Sequence, residues 1–257
     1  MIGPAARRAY GQADEEIRTV SENGTGSTTH RRGRLASDRN VRRLNVLVAV
    51  FGILISLPLM VLIALAVKLT SSGPILYRQA RVGHNRRRRR RSGGRRGPSD
   101  PDIGRREENA GGRIFTMYKF RTMTARSQEF EAEEVWARPD DQRITRVGSV
   151  LRRHRLDELP QLFNVLLGDM NVVGPRPEQP AIFQRLQDDV EAYPERQRVL
   201  PGITGWAQVN HAYDQSLDDV CRKVAFDLEY IRRRSAMEDL RIMARTLPVM
   251  VGKKGAL

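Results

Sequence analysis

The apolar run from Leu44 to Val67 constrains this chain more than any other feature, because it contains only two polar side chains, Asn45 and Ser56. About 20 apolar residues suffice to span a bilayer, so the run predicts a membrane segment. Pro58 lies near its middle and cannot donate a backbone hydrogen bond to the carbonyl of Leu54. Ser56 can bond to the loosened backbone, which lowers the cost of a break in lipid. The helix either spans the membrane with a kink or breaks at Pro58 and returns.

Basic residues flank this run on both sides, and positive residues favour the cytoplasmic side of a membrane. A spanning helix would place one of the two clusters outside the cell, whereas a returning helix would keep both inside. The flanks therefore weaken the case for a spanning helix without excluding it. The residues concerned are Arg31, Arg32, Arg34, Arg39, Arg42 and Arg43 before the run, and Lys68, Arg78, Arg81 and the arginine block that begins at Arg86 after it.

The formal net charge of +15 points to an anionic partner: nucleic acid, anionic lipid or a phosphorylated substrate. The charge is unevenly distributed, since residues 86–106 hold ten arginines against the two acids Asp100 and Asp102. The single cysteine, Cys221, excludes an internal disulfide and fits a reducing compartment.

Composition divides the chain into segments. Residues 1–36 are polar without an apolar period and predict a disordered tail. Residues 37–69 form the membrane segment and residues 70–250 a mainly helical domain, followed by a short tail at 251–257. Within the domain, residues 85–112 are rich in Arg, Gly and Pro and predict a solvated, disordered insertion.

A short β-hairpin is predicted around that insertion. Residues 75–79 follow a turn and read as a strand, and side chains alternate again from Ile114 to Phe120. Two strands separated by a polar insertion are typical of a hairpin whose tip has been expanded. Because the remaining pattern is helical, the sequence predicts an α+β fold that is mostly helical.

The stretch from Arg152 to Glu178 carries a second helical period. Apolar residues recur at helical spacing, which predicts that one face of a helix is buried, and Gly168 supplies a natural C-terminal stop. The apolar residues of this face are Leu159, Leu162, Phe163, Leu166 and Leu167.

Two adjacent carboxylates, Asp157 and Glu158, precede this helix, with Asp157 at the expected N-cap and Pro160 in the first turn. Clustered arginines lie nearby in sequence. Carboxylates beside arginines at a helix start suit the handling of a phosphoryl group with a divalent cation. The alternative is that Asp157 only caps the helix and that the arginines form a solvated face. The arginines are Arg152, Arg153, Arg155 and Arg176.

Seven motifs in order resemble the bacterial sugar transferase family, the monotopic phosphoglycosyl transferases that begin polysaccharide and glycoconjugate assembly on a polyprenol carrier. The resemblance covers residues 40–250 apart from the insertion. The motifs are "LPLMVLIALAVKL", "GPILYRQARVG", "YKFRTM", "RITRVGSVLRR", "LDELPQLFNVLLGDMNVVGPRPE", "LPGITGWAQVN" and "DLEYI".

This resemblance implies a monotopic protein at the cytosolic face of the bacterial inner membrane, with one re-entrant helix broken at Pro58 and a cytosolic helical catalytic domain. The family often has serine directly before the proline, whereas here Leu57 takes that place and Ser56 precedes it. The arginine-rich insertion is a second departure, because the corresponding loop of the family is short. We expect it to meet anionic lipid.

The resemblance also implies the chemistry. Asp157 is the expected nucleophile; it takes the sugar phosphate from a nucleoside diphosphate sugar, usually a UDP-sugar, and passes it to polyprenyl phosphate. Glu158, with Asp157, is expected to hold Mg²⁺. The cations expected to bind the substrate phosphates are Lys119, Arg121, Arg152, Arg176 and Arg196.

Two other classes of function stay open on the residues alone. The block from Arg86 to Arg96 could belong to a nucleic-acid-binding membrane protein, although it lacks aromatic residues for base stacking, so no nucleic acid partner is expected. A non-catalytic membrane scaffold would keep the fold without the chemistry, but "LDELPQ" is intact. The particular sugar and the oligomeric state, a dimer included, are not specified by the sequence.

Overall fold

A computed structural model of the protein describes residues 28–85, 112–124, 143–210 and 216–251. Helices dominate these residues, and two short 3₁₀ helices, Leu156–Glu158 and Tyr193–Arg198, accompany them. The strands are β1 (Leu76–Val82), β2 (Ile114–Phe120), β3 (Asn171–Val173) and β4 (Gly202–Thr204). The α-helices are α1 (Thr28–Thr70), α2 (Arg146–Arg153), α3 (Gln161–Leu167), α4 (Pro180–Asp189), α5 (Trp206–Asn210), α6 (Leu217–Arg233) and α7 (Ala236–Val251).

The predicted α+β fold, mostly helical with one short hairpin, is confirmed. Strands β1 and β2 pair antiparallel, from Leu76 opposite Phe120 to Val82 opposite Ile114. A second pair, β3 and β4, is parallel and was not predicted from the sequence. Three-residue strands are too short to show a period, so only the tertiary pairing reveals them.

The boundary between tail and membrane segment differs from the prediction. Helix α1 begins at Thr28, whereas the sequence pattern predicted a tail up to residue 36. Most of that tail (1–27), the bulk of the arginine-rich insertion (86–111) and the last residues (252–257) lie outside the described part of the chain.

Helix α1 contains Pro58 inside it, so the break predicted at this proline is not confirmed. The helix packs against the rest of the protein on both sides of Pro58. Before the proline, Ala49 belongs to a buried cluster with Val165 and Met170. After it, Met60, Ile63 and Val67 pack with Phe120 and Leu151. Gly52 admits the close approach of α3, since a Cβ there would lie 3.2 Å from Leu162 Cδ1.

Polar contacts reinforce the packing near the N-terminal side of the apolar run. The Asn45 amide donates to Asp239 Oδ2 at 2.8 Å and accepts from the Val172 N–H at 2.7 Å. Arg42 Nη2 donates to the Val165 carbonyl at 2.6 Å. These contacts satisfy buried polar groups and join α1 to α7, β3 and α3.

The opposite face of α1 is exposed and apolar. Residues Asp38–Thr70 form a helical stretch long and apolar enough to cross a membrane, and only 17% of its most apolar part is buried within the protein. A soluble protein rarely exposes an apolar face of this size, so the face is a candidate membrane surface. Its exposed residues include Leu47, Phe51, Leu54, Ile55, Val61, Leu62 and Leu65.

The apolar face of helix α3 was predicted to be buried, but much of it is exposed. Phe163, Leu166 and Leu167 are exposed, with 67% of Leu167 accessible. The buried residues are instead Gln161, Asn164 and Val165, although Leu162 packs partly against the cluster around Ala49. Asn164 is buried because its amide pairs with the backbone of β2, accepting from the Tyr118 N–H at 3.1 Å. Hydrogen bonding to the hairpin thus turned a polar residue inward. The predicted stop at Gly168 is confirmed by its φ of 87° at the C-cap.

Candidate active site

The two carboxylates of "LDELPQ" lie in the 3₁₀ turn between α2 and α3. Arg155 precedes this turn in the left-handed conformation, with φ 54°, which is uncommon for a residue with a side chain. This conformation ends the path of α2 and redirects the chain. Both carboxylates are buried, with 8% of Asp157 and 6% of Glu158 accessible.

The predicted N-cap role of Asp157 is wrong. Helix α3 begins at Gln161 with Pro160 at its N-cap, and no side chain caps either this helix or the 3₁₀ turn. The reason lies in Pro160, which has no N–H to donate to the Leu156 carbonyl four residues earlier. The Leu159 N–H takes that carbonyl instead, at 3.3 Å, and tightens the turn. Asp157 therefore lies within the turn, and capping does not explain its presence.

Three cations surround the Glu158 carboxylate. Arg176 Nη2 lies 2.9 Å from Glu158 Oε1, and Lys119 Nζ of β2 lies 3.2 Å from the same oxygen. Arg155 Nη1 is more distant, at 3.9 Å. The tertiary fold thus brings "YKFR", "LDELPQ" and "PRPE" to one place.

Burial and charge act in opposite directions on these groups. Burial alone would raise the pKa of Glu158, but Arg176 and Lys119 outweigh it and hold that pKa well below its usual range. Burial raises the pKa of Asp157, although Lys119 partly opposes the rise. Burial lowers the pKa of Lys119, because it disfavours the charged form of an amine as it does that of a carboxylate. The site therefore holds a firmly ionised Glu158 beside a less acidic Asp157.

The other predicted phosphate-binding arginines take three different places. Arg152 Nε donates to Thr122 Oγ1 at 2.9 Å, and its charge acts on Asp157. Arg121 is buried away from the pair and donates to the carbonyls of Pro74 and Ser71 beyond the end of α1. Arg196 is also buried and ion-paired with Asp227 at 2.7 Å.

Sequence reasoning overlooked two residues near this site. Arg81 of β1 donates from Nη1 to the Pro177 carbonyl at 3.0 Å. Glu178, the last residue of "PRPE", forms an ion pair with Lys223 at 2.7 Å. Each belongs to a quoted motif, but no local pattern indicates that the two meet.

The described residues hold no group of three or more His, Cys, Asp and Glu side chains that could bind a metal ion on its own. Mg²⁺ does not require such a group, because it commonly takes one or two carboxylates together with substrate phosphates and waters. Asp157 and Glu158, adjacent and buried, meet that smaller requirement.

The family model described as bacterial sugar transferase matches residues 37–90 and 103–253. The chain belongs to the bacterial sugar transferase family. The membership inferred from the seven motifs is confirmed, and the matched residues include α1 from residue 37 onward, the hairpin and the site around Glu158.

Named relatives in this family are similar over most of the chain. It is 38% identical over 215 residues to the UDP-N-acetylgalactosamine-undecaprenyl-phosphate N-acetylgalactosaminephosphotransferase of Aeromonas hydrophila, covering 84% of this chain and 44% of the relative. It is 40% identical over 211 residues to the undecaprenyl-phosphate glucose phosphotransferase of Komagataeibacter xylinus, covering 80% and 35% respectively. It is 36% identical over 220 residues to the UDP-glucose:undecaprenyl-phosphate glucose-1-phosphate transferase of Caulobacter vibrioides, covering 85% and 72%. The chain thus spans less than half the length of the first two relatives.

Proposed function

We propose that this bacterial sugar transferase moves a sugar 1-phosphate from a nucleoside diphosphate sugar, taken as a UDP-sugar, to polyprenyl phosphate. The observation that carries the proposal is the buried Asp157–Glu158 pair, whose Glu158 meets Arg176 and Lys119 at 2.9 and 3.2 Å. The names of the relatives, which include UDP-sugars and undecaprenyl phosphate, support these substrate classes. The reaction would be the first membrane step of polysaccharide or glycoconjugate assembly.

Asp157 is the nucleophile of the proposed reaction. One of its carboxylate oxygens bonds to the phosphorus that carries the sugar, and the bond from that phosphorus to the bridging oxygen breaks. The nucleoside monophosphate leaves with the electron pair. A phosphate oxygen of polyprenyl phosphate then attacks the same phosphorus, the aspartyl P–O bond breaks and the carboxylate is regenerated. Covalent catalysis of this kind divides one difficult transfer into two easier ones.

The cations around the pair offset the negative charge that the diphosphate brings. Arg176 and Lys119 meet Glu158 directly, while Arg152 and Lys119 act on the charge of Asp157. Planar guanidinium groups suit phosphate oxygens because they can donate two parallel hydrogen bonds. We therefore assign phosphate binding to Lys119, Arg152 and Arg176, and a supporting role to the more deeply buried Arg121 and Arg196.

Mg²⁺ is the cation proposed for this site, with Asp157 and Glu158 as its protein ligands. When bound, it would offset charge on the diphosphate as a Lewis acid. Glu158 suits this role because its carboxylate stays ionised, held so by Arg176 and Lys119.

The proposed topology is re-entrant: although Pro58 lies inside one helix, α1 would enter one leaflet from the cytosolic side of the inner membrane, bend at Pro58 and return. Side chains on both flanks support this, since Arg42 and Val67 both contact the catalytic domain. In a straight helix the distance from Arg42 to Val67 would be about 38 Å, which exceeds a hydrocarbon core of about 30 Å. A helix that crossed the bilayer would carry one of these contacts to the far side. Ser56 Oγ donates to the Gly52 carbonyl at 2.6 Å, next to the expected break.

Mass spectrometry of the intact protein tests this function. After incubation with each of a panel of nucleotide sugars alone, we expect an adduct of sugar-phosphate mass on the peptide that holds Asp157. Polyprenyl phosphate should then discharge it. Asp157→Asn should not form the adduct, whereas the matched control Asp169→Asn, whose carboxylate pairs with Arg113 at 3.7 Å, should form it. Release of nucleoside monophosphate only when both substrates are present, without an adduct, would indicate direct transfer instead.

A further inference from the structure

The segment from Pro175 to Glu178 has no regular secondary structure, yet all four of its carbonyls accept hydrogen bonds. The four donors come from three parts of the chain, β1, the second 3₁₀ helix and β4, so they fix the path of the segment in three dimensions. They are Gly202 N–H to Pro175 at 3.0 Å, Arg196 Nη2 to Arg176 at 3.0 Å, Arg81 Nη1 to Pro177 at 3.0 Å, and Val82 N–H to Glu178 at 2.9 Å.

The Glu178 carboxylate joins the two arginines that hold this backbone. It lies 3.9 Å from Arg196 Nη1 and 4.0 Å from Arg81 Nη1, and Lys223 Nζ donates to it at 2.7 Å. Arg196 is held further by Asp227, at 2.7 Å, and stacks over the Tyr193 ring at 4.8 Å. The Glu178 carboxylate is thus the anion that Arg81, Arg196 and Lys223 share, in a buried cluster that lies against the backbone of the segment.

The same segment presents Arg176 to the active site. Arg176 Nη2 reaches Glu158 Oε1 at 2.9 Å, while the Arg176 carbonyl is held by Arg196. Proline on either side, at 175 and 177, restricts the backbone further. The direction of this guanidinium therefore depends on the cluster behind it.

We propose that Glu178 is a positioning residue that, through Arg81 and Arg196, fixes the Pro175–Glu178 backbone and directs Arg176 at Glu158 and the substrate diphosphate. This inference rests on the proposed function and extends it to a residue that does not touch the reacting atoms. Because a displacement of about 1 Å can cost 10²-fold in rate, loss of Glu178 should be felt at the reaction centre.

A double-mutant cycle tests the inference, with nucleoside monophosphate release measured in single turnovers. Glu178→Gln alone should lose about 10- to 100-fold in rate. If Glu178 acts through Arg176, the pair Arg176→Ala and Glu178→Gln should lose no more than Arg176→Ala alone, within about twofold. Losses that multiply would overturn the inference, because they would show that Glu178 acts independently of Arg176.

Asp239→Asn provides a matched control. Asp239 is also a buried carboxylate, but it bonds Asn45 and Tyr230 away from the segment. Any loss of rate that Asp239→Asn causes should multiply with the loss of rate that Arg176→Ala causes. Should Glu178→Gln not fold, Arg81→Lys keeps the charge and loses the donation to Pro177; its smaller loss should also vanish in the Arg176→Ala background.

Hydrogen exchange supplies a measurement that does not depend on turnover. The Gly202 and Val82 amides donate to carbonyls of the segment, so their protection reports whether it is in place. Both should exchange faster in Glu178→Gln and not in Asp239→Asn, and unchanged exchange would overturn the inference. A wild-type protein that turns over no nucleotide sugar would refute the proposed function, while the exchange result would still decide the role of Glu178.

Discussion

Asp157 is a buried carboxylate in a tight turn, with Lys119 and Arg152 acting on its charge and no capping bond to account for it. A purely structural aspartate could be replaced by asparagine at little cost, since the two side chains are nearly the same size. We expect Asp157→Asn to reduce turnover by about 10⁴- to 10⁶-fold, the range seen when a nucleophile or a partner in its catalytic unit is removed. The melting temperature should stay close to that of the wild type. Turnover near the wild-type rate would show that Asp157 is not the nucleophile.

Glu178 should make stability depend on pH. Burial alone would raise its pKa, but Lys223 and Arg196 outweigh burial and lower the pKa from 4.5 to about 2. A pKa that is lower in the folded state stabilises the fold above about pH 4.5, and this contribution is lost as the pH falls towards 2. This contribution to the free energy of unfolding is on the order of 3 kcal/mol. Denaturant titrations should show a gap between wild type and Glu178→Gln that is wide at pH 6 and narrows towards pH 2; a constant gap would contradict the assignment.

At the scale of elements, helix α1 decides which compartment the domain occupies. If it returns at Pro58, both flanks face the cytosol. Single cysteines at Arg43 and Lys68, in a Cys221→Ser background, should both resist an impermeant thiol reagent in intact cells. Labelling of one flank from outside would establish a spanning helix. Pro58→Ala restores a backbone donor and should shift the protein towards the straight, spanning form, so that one flank becomes labelled.

Helix α3 should contact the membrane through its exposed side, which carries Phe163, Leu166 and Leu167. Leu162 on the inner side of α3 approaches Gly52 of α1, so we expect the exposed Phe163, Leu166 and Leu167 to continue the apolar surface of α1. Leu167→Glu should weaken retention on vesicles with little change in melting temperature. Leu217→Glu on α6, at 46% exposure, is the control and should leave retention unchanged. Equal effects of the two variants would remove α3 from the membrane surface.

At the scale of the whole molecule, the arginine-rich insertion extends from the hairpin tip. Its ends are already close, since the Gly83 N–H donates to the Arg113 carbonyl at 2.9 Å, so a short turn can replace it. Deletion of residues 86–111 should leave turnover largely intact, because none of the seven motifs lies there. Association with anionic vesicles should weaken, by roughly 1 kcal/mol for each basic residue near the surface.

Two outcomes of this deletion would change the interpretation. Complete loss of turnover in a protein that still folds would give the insertion a part in catalysis. Salt-dependent retention of DNA by the full chain, lost on deletion, would favour the nucleic-acid-binding alternative.

The sequence by itself determined the features that depend on short-range pattern. Short windows of sequence are enough to show the length of the apolar run, the alternation of β2, the stop at Gly168 and the adjacency of Asp157 and Glu158. The order of the seven motifs was enough to predict the family, because separate short matches in one order are improbable by chance.

Only the tertiary structure decided which way side chains face and which charges meet. A helical period predicted that the apolar face of α3 is buried, but much of that face is exposed, because the bonds of Asn164 to β2 decide which side of the helix lies inward. Arg121 and Lys119 belong to one motif, but β2 ends at Phe120, so Lys119 lies in the strand and meets Glu158, whereas Arg121 follows the strand and meets the end of α1. Arg81 and Glu178 are distant in sequence, and tertiary contacts bring them together, among them the bonds from the Val82 N–H to the Glu178 carbonyl and from Arg81 to the Pro177 carbonyl. Contacts of this kind depend on the three-dimensional path of the chain, which no local window of sequence contains.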